Sequence, residues 1–440
     1  MRYYADLHIH SKYSRACSPQ LTLENIDLWC RIKGISIVSC ADFTHPKWFV
    51  EIKEKLEPEG NGLYRLKSNL RLKDLRFKEK KLADVHFIVG TEVACIYSHT
   101  GATRRVHHCL YAPSIEVAEK INKKLTTRGC KLGGDGRPIL GLSSQKLLEI
   151  ILETDAKSVL IPAHIWTPWF AIFGSKSGYD NVQQCFENLT KHIFALETGL
   201  SSDPAMNWRL RSLDKVALVS HSDAHSLPNI GREADIFEGS ELSYDNIIQA
   251  LKKGSPQALA VGEDKLLSLR LAGTIEFFPD EGRYHFDGHR DCKISLNPVD
   301  TVKHKKMCPV CGRELTIGVL YRVNELADRK PDFKPKGALP FISLIELDKV
   351  IAQAQGVKGR QTKAVEAEYW NLVSAGGGEL QTLLDTPASE LTKITTARVV
   401  EAIQRLHSGK VSIEPGYDGV YGTIKLFDDE GKEQPQAVLF

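Results

Sequence analysis

From residue 1 to about 270, short apolar runs alternate with stretches of helical periodicity. The runs at 35–40, 86–90, 158–162 and 216–220 read as buried strands. Between them, 22–33, 114–125, 144–152 and 243–253 carry apolar positions at helical spacing, with Ser144 and Ser243 where N-caps belong. Strands alternating with helices predict an α/β fold, a distorted β/α barrel of TIM-like type with parallel strands. In such folds the working side chains stand at the carboxyl ends of the strands. Those ends are where chemistry is to be sought.

Residues 51–81 break the rhythm. Eight Lys or Arg between Arg65 and Lys81 face only Asp74 and Glu79, which reads as a solvated helix face or as a basic insertion near a phosphate-bearing ligand. Beyond about 270 a segment rich in Cys and His runs to about 325. A Pro/Lys-rich loop follows at 330–336, and a helical pattern extends from Leu344 to about Arg405, interrupted at Gly376, Gly377 and Gly378. The tail from Lys410 is glycine-rich and short-stranded. The expected domains are a catalytic barrel at 1–275, a zinc-binding module at 276–330 and a mainly helical C-terminal region at 331–440. No internal repeat is present.

The chain has 440 residues, 42% hydrophobic and 26% charged, which leaves room for a large core and excludes global disorder. A net charge of +3 neither requires nor forbids a nucleic-acid partner. No run of 18 apolar residues occurs, so no membrane span is expected. The first residues lack the apolar run of a secretory signal. Seven of the ten cysteines are scattered, mostly within apolar runs, as reduced buried thiols would be. A reducing, cytoplasmic location is the expectation.

The 15 histidines carry the functional signal. The first strand ends in Asp6-Leu7-His8-Ile9-His10, and alternation places His8 and His10 on one face. Later runs end in Asp42-Phe43-Thr44-His45, Thr91-Glu92, His107-His108-Cys109, Ala163-His164, Leu196-Glu197 and His221-Ser222-Asp223-Ala224-His225. One histidine at such a place is ordinarily structural. Recurrence at strand after strand points to a shared metal cluster. Imidazole mixed with carboxylate suits Zn²⁺, Mn²⁺ or Fe²⁺ better than Mg²⁺ or Ca²⁺. The donors are too many for one tetrahedral ion and suit two or three, with Glu92 able to bridge. Clustered cations fit phosphate-ester hydrolysis. Neither a Ser-His-Asp arrangement nor a P-loop competes, and Gly133-Gly134-Asp135-Gly136 is a turn signal.

His289-x-x-Cys292 and Cys308-Pro309-Val310-Cys311 have the spacing of a structural zinc knuckle with three Cys and one His. His285 is an alternative to His289. Lys and Arg around this segment fit a nucleic-acid contact or a solvated face.

The ordered set HxH, Asp/His, Glu, His, His, Asp-x-His resembles the polymerase-and-histidinol-phosphatase (PHP) family. Longer strings, among them Ala41-Asp42-Phe43-Thr44-His45-Pro46, the segment 162–170, Glu197-Thr198-Gly199-Leu200-Ser201 and Ser222-Asp223-Ala224-His225, resemble its endonuclease Q branch. The resemblance continues through the Cys/His segment and the tail. It implies a DNA repair endonuclease cutting 5′ of deaminated bases (hypoxanthine, uracil, xanthine) and abasic sites. It implies Asp223, Glu92 and His225 at the reaction centre. His8, His10, Glu92 and Asp223 would surround one zinc, and Glu92, His108 and His164 a second. His225 with Asp42 or His45 would serve a third. Mg²⁺ or Mn²⁺ could also support activity. His108 is preferred to His107 because it directly precedes the Cys-Leu run, and Glu197 and His221 would support the ligands. Two departures stand out: two residues separate Asp42 from His45, and Arg15 stands where an acid is usual.

Trp166, Trp169, Phe170 and Ser201 flank ligand motifs and are candidate walls for a damaged base turned out of the stack. Expected partners are single- or double-stranded damaged DNA and a replication sliding clamp, with no membrane. The alternatives are a small-molecule phosphoesterase, which would not need the residues beyond 275, and a non-catalytic DNA-binding accessory, which would show eroded ligands.

Overall fold

The computed structural model describes residues 1–73 and 84–427, so much of the basic stretch of 65–81 lies outside the described residues. The strands are β1 (Arg2–Asp6), β2 (Ile37–Ser39), β3 (Leu56–Pro58), β4 (Tyr64–Leu66), β5 (His86–His99), β6 (Ala102–Ala112), β7 (Ile139–Leu140), β8 (Val159–Pro162), β9 (Ala195–Glu197), β10 (Ala217–Val219), β11 (Ala234–Gly239), β12 (Leu269–Glu276), β13 (Asp287–His289), β14 (Ile294–Leu296), β15 (Phe341–Ser343), β16 (Ser412–Glu414) and β17 (Thr423–Lys425). The first helices are α1 (Leu23–Lys33), α2 (Pro46–Lys55), α3 (Ile115–Thr127) and α4 (Ser144–Thr154).

The fold is mixed α/β around a central sheet. One path runs β15-β12-β11-β1-β2-β5-β4-β3, and β6 leaves it to pair with β5 and β8. β1, β2 and β5 are parallel neighbours, with Ala5 opposite Ile37 and Ile37 opposite His86. β9 and β10 form a separate parallel pair. Backbone hydrogen bonding therefore does not close a barrel among the described residues. The two sectors meet where Ile9 bridges Ala224. This is the distortion in the anticipated barrel, and it opens at the strand ends that carry the histidines.

Local chemistry explains the element ends. Thr22 and Ser114 accept from the backbone N–H three residues on and start α1 and α3. α4 is capped by Ser143, one residue earlier than the sequence suggests, which places Ser144 inside the helix. Gly34, at φ +82, ends α1 in the left-handed conformation. β5 and β6 are far longer than their apolar runs. They form one hairpin from Val89 opposite Ala112 to His99 opposite Ala102.

The chain returns to the central sheet after residue 331. β15 lies parallel to β12, with Ile342 opposite Ile275. The helices Leu347–Ala354, Lys363–Gly376 and Ala397–His407 follow, the first packing against the other two, and Gly377 at φ +85 ends the second of them. A buried ion pair ties this region to α1, with Lys33 Nζ 2.7 Å from Glu379 Oε2. Gln381 donates to the Gly34 carbonyl at 3.1 Å. No helix among the described residues is long and apolar enough to cross a membrane.

Candidate metal centre

The backbone turns sharply where the strands end. Ala41, Asp42, His164, Phe170 and Asp223 all have φ between +29 and +64, although none is glycine. Each such residue costs on the order of 1 kcal/mol, and strain of this kind gathers where a side chain must be aimed. Asp6 holds one of these turns. Its carboxylate accepts from the backbone N–H of Ser222 at 3.1 Å and of Gly231 at 2.9 Å, and Arg232 donates to the Ser222 carbonyl. Asp223 is thereby set beside His10.

Glu92, buried on β5, is the centre of the arrangement. Its Oε2 lies 3.5 Å from His8 Nε2 and 3.3 Å from His10 Nε2. Asp223 Oδ1 completes that side, 3.7 Å from His8 Nε2 and 2.9 Å from His10 Nε2. The other oxygen, Oε1, lies 2.7 Å from His107 Nδ1 and 3.3 Å from His164 Nε2. One carboxylate thus serves two donor groups, each with its atoms within 4.8 Å of one another. This is the geometry of a bridging ligand.

Supporting carboxylates orient the imidazoles. His8 Nδ1 is 3.0 Å from Glu197 Oε2, which also receives His221 Nδ1 at 3.1 Å. Glu197 Oε1 accepts the His164 backbone N–H at 3.1 Å. His10 Nδ1 faces Asp42 Oδ1 at 3.4 Å. Such partners fix the tautomer and leave the opposite nitrogen bare for a cation. His8 Nε2 is buried and makes no hydrogen bond, as a ligand atom awaiting a metal would.

The electrostatics agree. Burial would raise the Glu92 carboxyl, but His107, Arg137 and His8 outweigh it and hold the group well below the usual range. Burial opposes charge on His10, yet Asp223, Asp42 and Glu92 hold it well above its ordinary value. The cavity therefore draws positive charge, which a divalent cation supplies. Burial lowers His107 to about 4, against the pull of Glu92.

A second donor group lies in the Cys/His segment. His289 ends β13, Cys292 follows in a tight turn, and Cys308 and Cys311 flank a knuckle that closes with Gly312 at φ +69. All four donor atoms lie within 4.8 Å of one another, and His289 Nδ1 is 3.8 Å from Cys311 Sγ. A tetrahedral zinc with Zn–S bonds of ~2.3 Å needs edges of about 3.8 Å. His285 lies elsewhere, buried and 3.3 Å from Asp280.

A family model described as the MJ0043 C-terminal domain matches residues 346–410. The uncharacterized protein MJ0043 of Methanocaldococcus jannaschii is 30% identical over 288 residues, or 62% of this chain. The match spans 33% of that relative's length. The uncharacterized protein YqxK of Bacillus subtilis is 26% identical over 436 residues, which cover 96% of this chain and 99% of YqxK. Among solved structures, the lesion-specific endonuclease Q of Pyrococcus furiosus is 27% identical with a TM-score of 0.81, covering 97% of this chain and 95% of that one. An endonuclease Q complex with a 27-mer duplex carrying an abasic lesion at its active site is 28% identical, with a TM-score of 0.80 and coverage of 97% and 96%.

The chain is similar to endonuclease Q over nearly its whole length.

In this chain the structure brings His8, His10, Glu92, His164 and Asp223 together. It corrects one assignment. Glu92 stands opposite Cys109 in the β5–β6 ladder, so His107, two residues from Cys109, shares its face. His108 points the other way. It is fully buried, bonded through Nε2 to Ser144 Oγ at 2.8 Å and packed against Phe186. Period two carries the signal, since His108 falls on the face of Val106 and Leu110.

The anticipated third set is not assembled. No tight donor group among the described residues includes Asp42, His45 or His225. Asp42 Oδ2 already accepts from Ser11 N–H, Ser11 Oγ and Ser14 Oγ at 2.6–2.8 Å. His45 Nδ1 caps α2 and its ring stacks on Tyr13 at 4.4 Å. His225 stands at the mouth, with its ring 4.6 Å from that of His10 and Nδ1 bonded to the Asp223 carbonyl at 2.8 Å.

Trp166 is not a pocket wall. It is 1% exposed, donates to Asn207 Oδ1 at 2.8 Å and packs on Phe173. Phe170 is half-buried with its ring 4.6 Å from that of His107. Trp169 and Ser201 are also half-buried, and Trp169 meets Tyr284 edge-on at 5.6 Å. Arg137, which directly follows the turn string Gly133-Gly134-Asp135-Gly136, was not singled out by the sequence. Its Nη1 lies 3.1 Å from Glu92 Oε2.

Proposed function

We propose that this protein is a metal-dependent DNA repair endonuclease that hydrolyses the phosphodiester 5′ of deaminated bases and abasic sites. One observation carries the reading. Two donor groups share Glu92 at the strand ends of a chain that matches endonuclease Q over nearly its whole length. Bound divalent cations would supply Lewis acidity and a water-derived nucleophile at neutral pH. His8, His10, Glu92 and Asp223 would hold one, and Glu92, His107 and His164 the other.

The protein's own groups do the rest. Glu197 and Asp42 fix the tautomers of His8 and His10. Phe170, its ring 4.6 Å from that of His107, would shield that side of the centre from water. Half-buried Trp169 and Ser201 follow His164 and Glu197 closely in the chain and are candidates for contact with the extruded base. His289, Cys292, Cys308 and Cys311 would bind a structural zinc that shapes a module for the DNA backbone.

The test is gel-based nicking of duplexes carrying one uracil, hypoxanthine, xanthine or abasic site, with Zn²⁺, Mn²⁺ or Mg²⁺. Cleavage on the 5′ side of the lesion is expected. Asp223→Ala should abolish it and leave DNA binding measurable. Turnover of para-nitrophenyl phosphate without nicking would make the protein a small-molecule phosphoesterase. Binding without either activity would make it an accessory.

A further inference from the structure

Among the described residues, Arg137 is the one guanidinium or ammonium group in contact with the carboxylates of the centre, since every other cationic partner of Glu92, Asp223, Asp42 and Glu197 is a histidine. It is rigidly presented. Gly136 N–H donates to the Tyr13 carbonyl at 3.0 Å, and Ala94 N–H donates to the Pro138 carbonyl at 3.0 Å. Asp135 Oδ1 accepts from the backbone N–H of both Arg15 and Arg137 at 3.1 Å. Gly136 is pressed so closely on the centre that a Cβ there would lie 2.2 Å from Asp42 Oδ2 and from Ser14 Oγ. The loop is packed tightly against Asp42 and Ser14, and its arginine side chain is 24% exposed.

The guanidinium bonds to the same Glu92 oxygen that faces His8 and His10. Only one of its five N–H donors is used there, and among the described residues no other side chain accepts from it. Once divalent cations occupy the two donor groups, the lone pairs of Glu92 turn to them. A fixed guanidinium beside two dications is repelled unless an anion lies between them. A phosphodiester answers that need, because its two non-bridging oxygens match the guanidinium fork while facing the cations.

We infer that Arg137 is a phosphate-binding residue that donates to a non-bridging oxygen of the scissile phosphodiester. This inference rests on the endonuclease reading and adds to it the group that registers the cut linkage against the centre. A purely structural Arg137, present to hold Glu92, would alter metal content and leave recognition of that phosphate unchanged.

The experiment uses metal-loaded protein and two abasic-site duplexes that resist cleavage. One carries a methylene phosphonate at the linkage 5′ of the lesion, which keeps the negative charge. The other carries a methylphosphonate there, which removes it. Fluorescence anisotropy gives the ratio of affinities for wild type, Arg137→Gln and Arg137→Lys, with bound metal counted in each. Wild type should favour the charged linkage by about tenfold or more. Arg137→Gln should lower the ratio severalfold, the remainder coming from the bound cations, with Arg137→Lys between. An Arg137→Gln ratio equal to wild type, or a wild-type ratio of one, overturns the assignment. An intact wild-type nicking activity in that case spares the endonuclease reading, whereas absent nicking and absent lesion binding would sink both.

Discussion

Exchanging His107 and His108 for alanine, one at a time, separates metal binding from packing at adjacent positions. His108→Ala removes a ring that is fully buried between Ser144 and Phe186. The lost hydrogen bond is worth about 1 kcal/mol, and Ser144 Oγ keeps the bond it accepts from Tyr97 Oη at 3.2 Å. The cavity adds a further ~2 kcal/mol, so the expected loss is about 3 kcal/mol and the melting temperature falls by about 3–5 °C. Nicking per folded molecule at 25 °C should remain within about threefold of wild type, a shift of ~0.6 kcal/mol. His107→Ala does the reverse. It deletes a donor 2.7 Å from Glu92 and 3.2 Å from His164 and should reduce nicking by about a hundredfold or more. Its melting temperature should change little. Differential scanning fluorimetry, metal counting and single-turnover nicking of an abasic duplex report the two effects. An inactive but stable His108→Ala beside an active His107→Ala would refute the register argument.

Three further outcomes are expected. Glu197 is held down to about 2, because His8 and His221 outweigh the effect of burial. Its ordinary value is 4.5, so about 3 kcal/mol of stability is present above pH 4.5 and is lost as pH falls toward 2. Urea midpoints measured between pH 2.5 and 6 should therefore fall less steeply for Glu197→Gln, and parallel curves would contradict the assignment. Glu379→Ala leaves buried Lys33 unpaired and should destabilise by about 3–5 kcal/mol. The double change Lys33→Met with Glu379→Gln should recover part of that in thermal melts, because glutamine keeps an acceptor for Tyr369 Oη and the Leu347 N–H. Cys308→Ser should release one zinc per chain in a chelator assay and weaken binding to damaged duplex, while the Glu92-centred metals stay bound.

Part of the site was legible because strand periodicity and side-chain chemistry are both local. His8 and His10 share a face through the two-residue repeat, and Glu92, His164 and Asp223 each close a recognisable apolar run. The zinc spacing was legible for the same reason. What escaped was relational. His107 and His108 are chemically identical, and only the pairing of Glu92 with Cys109 says which one faces the centre. Arg137 sits 45 residues from Glu92, just after a string that by itself says only turn. Trp166 flanks a ligand motif yet belongs to the core, because the chain reverses after His164 and carries the indole inward to Asn207.

The amino-acid order by itself determined the alternation of strands and helices, the helix caps and the kinds of donor at each strand end, since these follow from side chains interacting with their own backbone and nearest neighbours. Tertiary structure decided which donors meet, which oxygen of Glu92 each one faces, and that the strand at 341–343 returns to the central sheet. Those outcomes depend on contacts between segments tens to hundreds of residues apart. Such contacts are set by register, by packing and by the neutralisation of buried charge, none of which a single local stretch of sequence contains.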